Sequence, residues 1–194
     1  MELLLSLCLG IGLSAACGFR IFVPFLIVSL AAHSGHLTLS GDLLWLGSAA
    51  AIALFSIATG IEVIAYYIPW LDNALDLLAE PAAIIAGMLM TATFMHSAVG
   101  GVSPLLLWTT AAIAGGGTAG LVEGFTILAR LGSTATTGGL ANPLFATVEV
   151  GSAATLSLLA LSAPAIAALT VLFLLGLSLH RLAKLWRRWR DRPR

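Results

Sequence analysis

The chain has 194 residues, of which 59% are hydrophobic and 9% charged, with a mean hydropathy of +1.03. A soluble domain carries about 25% charged residues, so a water-soluble globular domain is excluded and an integral membrane protein is indicated. The net charge of zero conceals an asymmetry: seven of the nine Lys and Arg residues fall in "RLAKLWRRWRDRPR", from Arg181 to Arg194.

A span needs about 20 predominantly apolar residues, and the chain divides into six predicted helices at about 3–31, 43–68, 76–98, 104–130, 143–161 and 164–183. The expected fold is all-α, a polytopic bundle in one transmembrane domain, 1–183, followed by a basic tail, 184–194. "MELLLSLCLGIGLSAAC" opens with an acid, and its apolar run continues past any small-residue cleavage site, so residue 1 is read as the mature start rather than as a signal peptide. Cys8 and Cys17 share this first segment and imply neither a disulfide framework nor a zinc site.

The first predicted helix carries Arg20 near its middle, with Gly18 beside it and Pro24 one turn on. A charge at membrane depth faces a cavity or a partner, and an unpaired buried charge is not tolerated. The first and fourth helices are longer than a bilayer requires, so they are expected to tilt, break or kink at "ACGFRIFVP" and "AIAGGGTAG". Glu62 in the second helix and Glu149 in the fifth are the nominated partners of Arg20, while Glu123 in the fourth precedes the glycine of "GFTI".

Between the second and third helices, "IPWLDNALDLLAEP" places Asp72, Asp76 and Glu80 at intervals of four on one helical face, either a wet or cation-holding face or, for Asp72, an N-cap. Before the fifth helix, "GSTATTGGLANP" is an ordinary loop or a re-entrant segment with Thr134, Thr136 and Thr137 lining a polar cavity. Asn142 reads as the N-cap of that helix, with Pro143 at its first position. The basic tail favours a cytoplasmic C-terminus and anchoring on anionic lipid. With six spans the N-terminus is then cytoplasmic too, and Arg130 becomes a topology marker at the cytoplasmic end of helix four.

Short matches recur in the same order in both halves: "GFRI" at 18–21 with "GFTI" at 124–127, "LFSIATGIEV" with "LFATVEV", and "EPAAIIAGMLM" with "APAIAALTVLF". Three spans per half force the second to enter the membrane inverted, so two inverted three-helix repeats are expected, about 3–98 and 104–183, as in many transporters.

"GLSAACGFRIFVP", "EVIAYYIPWLDNALD" and "STATTGGLANP" together resemble the DUF4126 family of bacterial integral membrane proteins over about residues 5–175. The resemblance implies a bacterial inner-membrane location and no established activity. Many members have an Asp-Lys pair where this chain has Tyr66 and Tyr67, and an Arg where it has Glu80.

No nucleophile elbow, HExxH or Walker A motif is present, and His33, His36, His96 and His180 are scattered. No enzyme activity, catalytic residue, metal, cofactor or nucleic-acid partner is therefore expected. The expected function is a small transporter or channel for a cation or a proton-coupled small solute. Its pathway would use Arg20, Glu62, Glu123, Glu149, Asp72, Asp76, Thr136, Thr137 and Asn142. The alternatives are a non-transporting scaffold held by small-residue contacts and a lipid-handling protein in which Arg20 meets a phosphate. The lipid bilayer and a second copy of the chain are the expected partners.

Overall fold

Six helices of the computed structural model are long and apolar enough to cross a membrane: Glu2–Phe19, Ala49–Tyr66, Leu77–His96, Pro104–Thr137, Asn142–Ser162 and Pro164–Lys184. The structure describes residues 2–39, 41–98 and 103–190, apart from the side chains of 42, 69, 70, 72–74, 76, 97, 98, 185, 186 and 188–190. Within them every regular element is helical. The protein is built as a multi-pass membrane protein.

The first predicted span is two helices, α1 (Glu2–Phe19) and α2 (Phe22–His33). Together they would extend about 48 Å at 1.5 Å per residue, well beyond a hydrocarbon core of about 30 Å. Pro24 dictates the break, since it has no N–H and its ring clashes with the carbonyl four residues back, that of Arg20. It sits in the first turn of α2, where an N–H has no helical partner to lose. The last bond of α1 runs from the Arg20 N–H to the Ala16 carbonyl, 3.1 Å.

After a 3₁₀ segment, Gly41–Gly47, Ser48 caps α3 (Ala49–Tyr66) by accepting the Ala51 N–H at 3.1 Å. The next helix, α4 (Pro69–Ala98), starts earlier than the sequence suggests. "PWLDN" is its first turn rather than a loop, because Pro69 is preorganised for a helix start. Asp72 therefore lies inside the helix and is not its N-cap. The side chains of Asp72 and Asp76 lie outside the described residues, while Glu80 is exposed.

The fourth span is continuous but not uniform. It comprises α5 (Pro104–Thr110), a π segment (Ala111–Gly116) and α6 (Gly117–Thr137). The irregularity falls on "AIAGGGTAG", where the backbone approaches α4. A Cβ on Gly87 would stand 2.7 Å from the Gly115 carbonyl oxygen and 2.6 Å from the Ala119 Cβ. The end of this span corrects the loop reading of 132–142. Thr136 and Thr137 belong to α6, are exposed, and return their hydroxyls to the helix, Thr136 to the Gly132 carbonyl and Thr137 to that of Ser133, both at 2.8 Å. Gly138 and Gly139, at φ 65° and 86°, then turn the chain in the left-handed conformation that glycine tolerates.

The last two helices are α7 (Asn142–Ser162) and α8 (Pro164–Arg190). Asn142 is the first residue of α7, not its N-cap, and its amide donates to Thr134 Oγ1 at 3.2 Å, tying α7 to the end of α6. The basic segment continues α8 as helix to Arg190, with Arg181, Lys184 and Arg187 exposed.

α1 is the centre of the bundle, packed against α4, α6, α7 and α8, while α2 packs on α3 and α7. Leu13, Cys17, Val28, Met90 and Phe94 form the main core. Between α1 and α4 the Ser14 hydroxyl donates to the Gly87 carbonyl at 2.7 Å and lies 2.9 Å from the Thr91 hydroxyl. Such small residues let helices approach in lipid, where apolar surface gives no net drive to associate.

Candidate functional site

Breaking a helix inside a membrane frees N–H groups that no water is there to satisfy. At the α1–α2 junction the Ile21 and Phe22 N–H groups donate to the two oxygens of the Glu62 carboxylate, at 2.8 and 3.1 Å. Glu62 comes from α3, so a side chain of one helix caps the start of another. The partial positive charge of the α2 N-terminus favours the carboxylate there.

Arg20, the residue at the break, points to α7. Its Nη2 donates to Glu149 Oε2 at 2.7 Å. Arg130 of α6 approaches the same carboxylate from the other side of its fork, with Nε donating to Oε1 at 3.0 Å and Nη2 donating to Oε2. A carboxylate offers about four lone-pair positions, and Glu149 uses three on guanidinium donors. All three residues are at most 4% exposed. Beneath them lies the ring of Tyr66, from the last turn of α3: the Arg20 Cζ is 3.7 Å from its centroid and the Arg130 Cζ 4.3 Å. Both distances are within the cation–π range of about 6 Å.

Close packing places these groups. A Cβ on Gly18 would meet the Val122 Cβ at 2.7 Å, so the glycine lets α1 lie against α6 and brings Arg20 and Arg130 to one carboxylate. One turn of α3 separates Glu62 from Tyr66, which puts the cap and the cation–π ring on the same face.

Apart from Asp72 and Asp76, whose side chains lie outside the described residues, the expected site residues separate into three groups. Arg20, Glu62 and Glu149 come together, with Glu149 as the ion-pair partner and Glu62 as the backbone cap. Glu123 is buried on α6, two turns before Arg130. Thr136, Thr137 and Asn142 lie at the α6–α7 turn and do not share this cluster. Two residues of the cluster escaped the sequence reading. Arg130, read from the sequence only as a marker of the cytoplasmic end of helix four, is 4% exposed and doubly bonded to Glu149. Extending the "GFRI"/"GFTI" match to "GFRIFVP" and "GFTILAR" sets Arg130 opposite Pro24, the one signal that marks it. Tyr66 carries no such signal.

Two open crevices reach this centre from the flanks. One, of about 390 Å³, lies between α1, α6, α7 and α8; among the described residues Glu149 is the only charged one in its mostly apolar lining. The other, of about 350 Å³, lies between α2, α3 and α4 and holds Glu62 and Tyr66. A family model described as "Domain of unknown function (DUF4126)" matches residues 7–184. The chain belongs to the DUF4126 family. No curated protein and no solved structure matches it. In this DUF4126 protein the histidines that end and follow α2 have their own bonds, His33 Nδ1 with the Gly47 carbonyl and His36 Nδ1 with the Ser34 hydroxyl, each at 2.9 Å. Among the described residues no three His, Cys, Asp or Glu side chains gather as a metal site.

Proposed function

We propose that this protein is a small transporter of the bacterial inner membrane, with both termini cytoplasmic, in which protons on Glu149 and Glu62 drive the movement of a small solute. The observation that carries this reading is a single buried carboxylate on α7 that holds two arginines, one at the break between α1 and α2 and one on α6. Protonating Glu149 would remove the charge that binds α1, α6 and α7 together, and protonating Glu62 would uncap α2. Each event converts a proton into a change of helix packing, which is what alternating access requires.

The two crevices support the inverted-repeat part of the proposal. Ile61 and Glu62 line one, while Val148 and Glu149, the residues at matching places in the ends of "LFSIATGIEV" and "LFATVEV", line the other. Each half thus offers one glutamate to one flank of the bundle. A scaffold reading draws on the Gly87–Gly115 approach and would treat the ion pairs as packing alone.

The test is purified protein in liposomes of bacterial polar lipid with an entrapped pH-sensitive dye. Wild type is expected to dissipate an imposed pH gradient faster than empty liposomes, and Glu62→Gln and Glu149→Gln, purified as folded protein, are expected to lose that flux. Leakage no faster than from empty liposomes, under any proton or cation gradient, overturns transport and leaves the scaffold.

A further inference from the structure

The arginine pair is already an oxyanion site, because it holds an oxyanion, the carboxylate of Glu149. Arg130 grips it with two donors, the fork geometry that suits carboxylate and phosphate alike, and Arg20 adds a third. The capacity is not exhausted: Arg20 Nε is buried and has no hydrogen-bond partner among the described residues. A cation is the wrong guest for the arginine pair itself, whose two guanidiniums are positively charged and already hold an anionic group.

The way in selects the guest further. The crevice that ends at Glu149 is lined by groups such as Phe19, Phe125, Phe145, Leu156 and Leu174, all within the membrane-spanning lengths of their helices or beside the α1 break. It therefore opens toward hydrocarbon rather than toward water. Its volume of about 390 Å³ falls in the range of ligand sites, about 300–1,000 Å³. We propose that the site binds an amphiphile from the bilayer, whose anionic head, a phosphate or carboxylate, replaces the Glu149 carboxylate on Arg20 and Arg130 while its hydrocarbon chain occupies this crevice. The exchange keeps the buried charge constant only if Glu149 takes up one proton as a monoanionic head arrives. This names the substrate class of the transport reading and rests on it for the proton coupling, but binding is measured without flux.

The probe is radiolabelled dodecyl phosphate with the full chain in phosphatidylcholine nanodiscs, corrected for partition into empty nanodiscs. Saturable binding is expected, with dodecyltrimethylammonium failing to compete and inorganic phosphate competing at least a hundredfold more weakly than unlabelled dodecyl phosphate. Glu149→Gln, which removes the internal competitor, should bind at least tenfold tighter, and Arg130→Gln at least tenfold weaker. Ala129→Trp fills the crevice from an exposed position and leaves every ion pair in place, so it also should weaken binding tenfold, whether or not the charge variants fold. Absence of saturable binding, or affinity unchanged in Ala129→Trp, overturns the proposal; inorganic phosphate competing as well as dodecyl phosphate overturns the amphiphile. Saturable binding with these variant effects but without proton flux leaves the site standing and removes transport, whereas proton flux without binding does the reverse.

Discussion

Glu62 and Glu149, the acids of the similar stretches "LFSIATGIEV" and "LFATVEV", do different work. Glu62 accepts two backbone N–H groups, and Glu149 accepts three guanidinium donors. The difference lies in the helix each one faces. In the first half Pro24 breaks the helix and exposes its backbone; at the corresponding place in the second half stands Arg130, the helix runs on, and a side chain supplies the donors instead. A buried acid in a membrane needs donors, and backbone or side chain will serve. The choice decides what happens when the acid is lost.

Losing the carboxylate at Glu149 takes their shared partner from two guanidiniums at most 4% exposed. Breaking a buried pair by removing one partner costs about 3–5 kcal/mol, so Glu149→Ala should show the largest loss of folded yield and of melting temperature in detergent. At Glu62 the stranded groups are two neutral N–H donors on a half-buried edge. Glu62→Ala should cost about 2 kcal/mol, near the low end for two unsatisfied donors. A melting series in which Glu62→Ala is the worse of the two would reverse the assignment of roles. Adding Arg130→Leu to Glu149→Ala should recover part of the loss, whereas no distant substitution should rescue Glu62→Ala.

Much of this comparison was legible in the sequence, and the rest failed for identifiable reasons. Composition and hydropathy gave six spans, and the positions of Pro24 and the glycine run located both irregularities, because a missing N–H and missing Cβ atoms act locally. The scarcity of buried charge pointed to a buried acid for Arg20, with Glu62 and Glu149 both nominated, and the structure pairs it with Glu149. Arg130 was misread because a positive residue near a predicted span end has a ready topological explanation, and the helix in fact continues two turns beyond it to Thr137. The hydroxyls of Thr136 and Thr137 were credited with a cavity, whereas a helix satisfies such groups on its own carbonyls. The start of α4 at Pro69 was missed because the acids after it imitate a cap.

Tyr66 belongs to both corners, one turn beyond Glu62 on α3 and beneath both arginines. Its replacement by leucine keeps the apolar bulk and removes the ring face. A cation–π contact is worth about 0.5–1 kcal/mol at an exposed site and about 2 kcal/mol or more at a desolvated one, and the low end applies to Tyr66 because both cations keep Glu149. The expected cost of Tyr66→Leu is therefore about 1 kcal/mol, read as a fall in melting temperature smaller than that of Glu62→Ala. A fall as large as that of Glu149→Ala would mean that the ring, rather than the carboxylate, holds the arginines in place.

The smallest expected effect separates the backbone of these helices from their acids. Gly60 in α3 and Gly151 in α7 lie two residues from Glu62 and Glu149 respectively, and a Cβ added at either meets nothing within 4 Å. Glycine inside a helix is less favourable than alanine by about 0.5–1 kcal/mol. Gly60→Ala and Gly151→Ala should each raise the melting temperature by a little, with the ion pairs and the cap untouched. If proton movement depends only on the carboxylates, flux in liposomes is equal to that of wild type in both. If Gly60→Ala stabilises the protein and slows flux while Gly151→Ala does not, α3 bends during transport and α7 does not. The corner built on a broken backbone would then be the moving one, and the corner built on two arginines its fixed support.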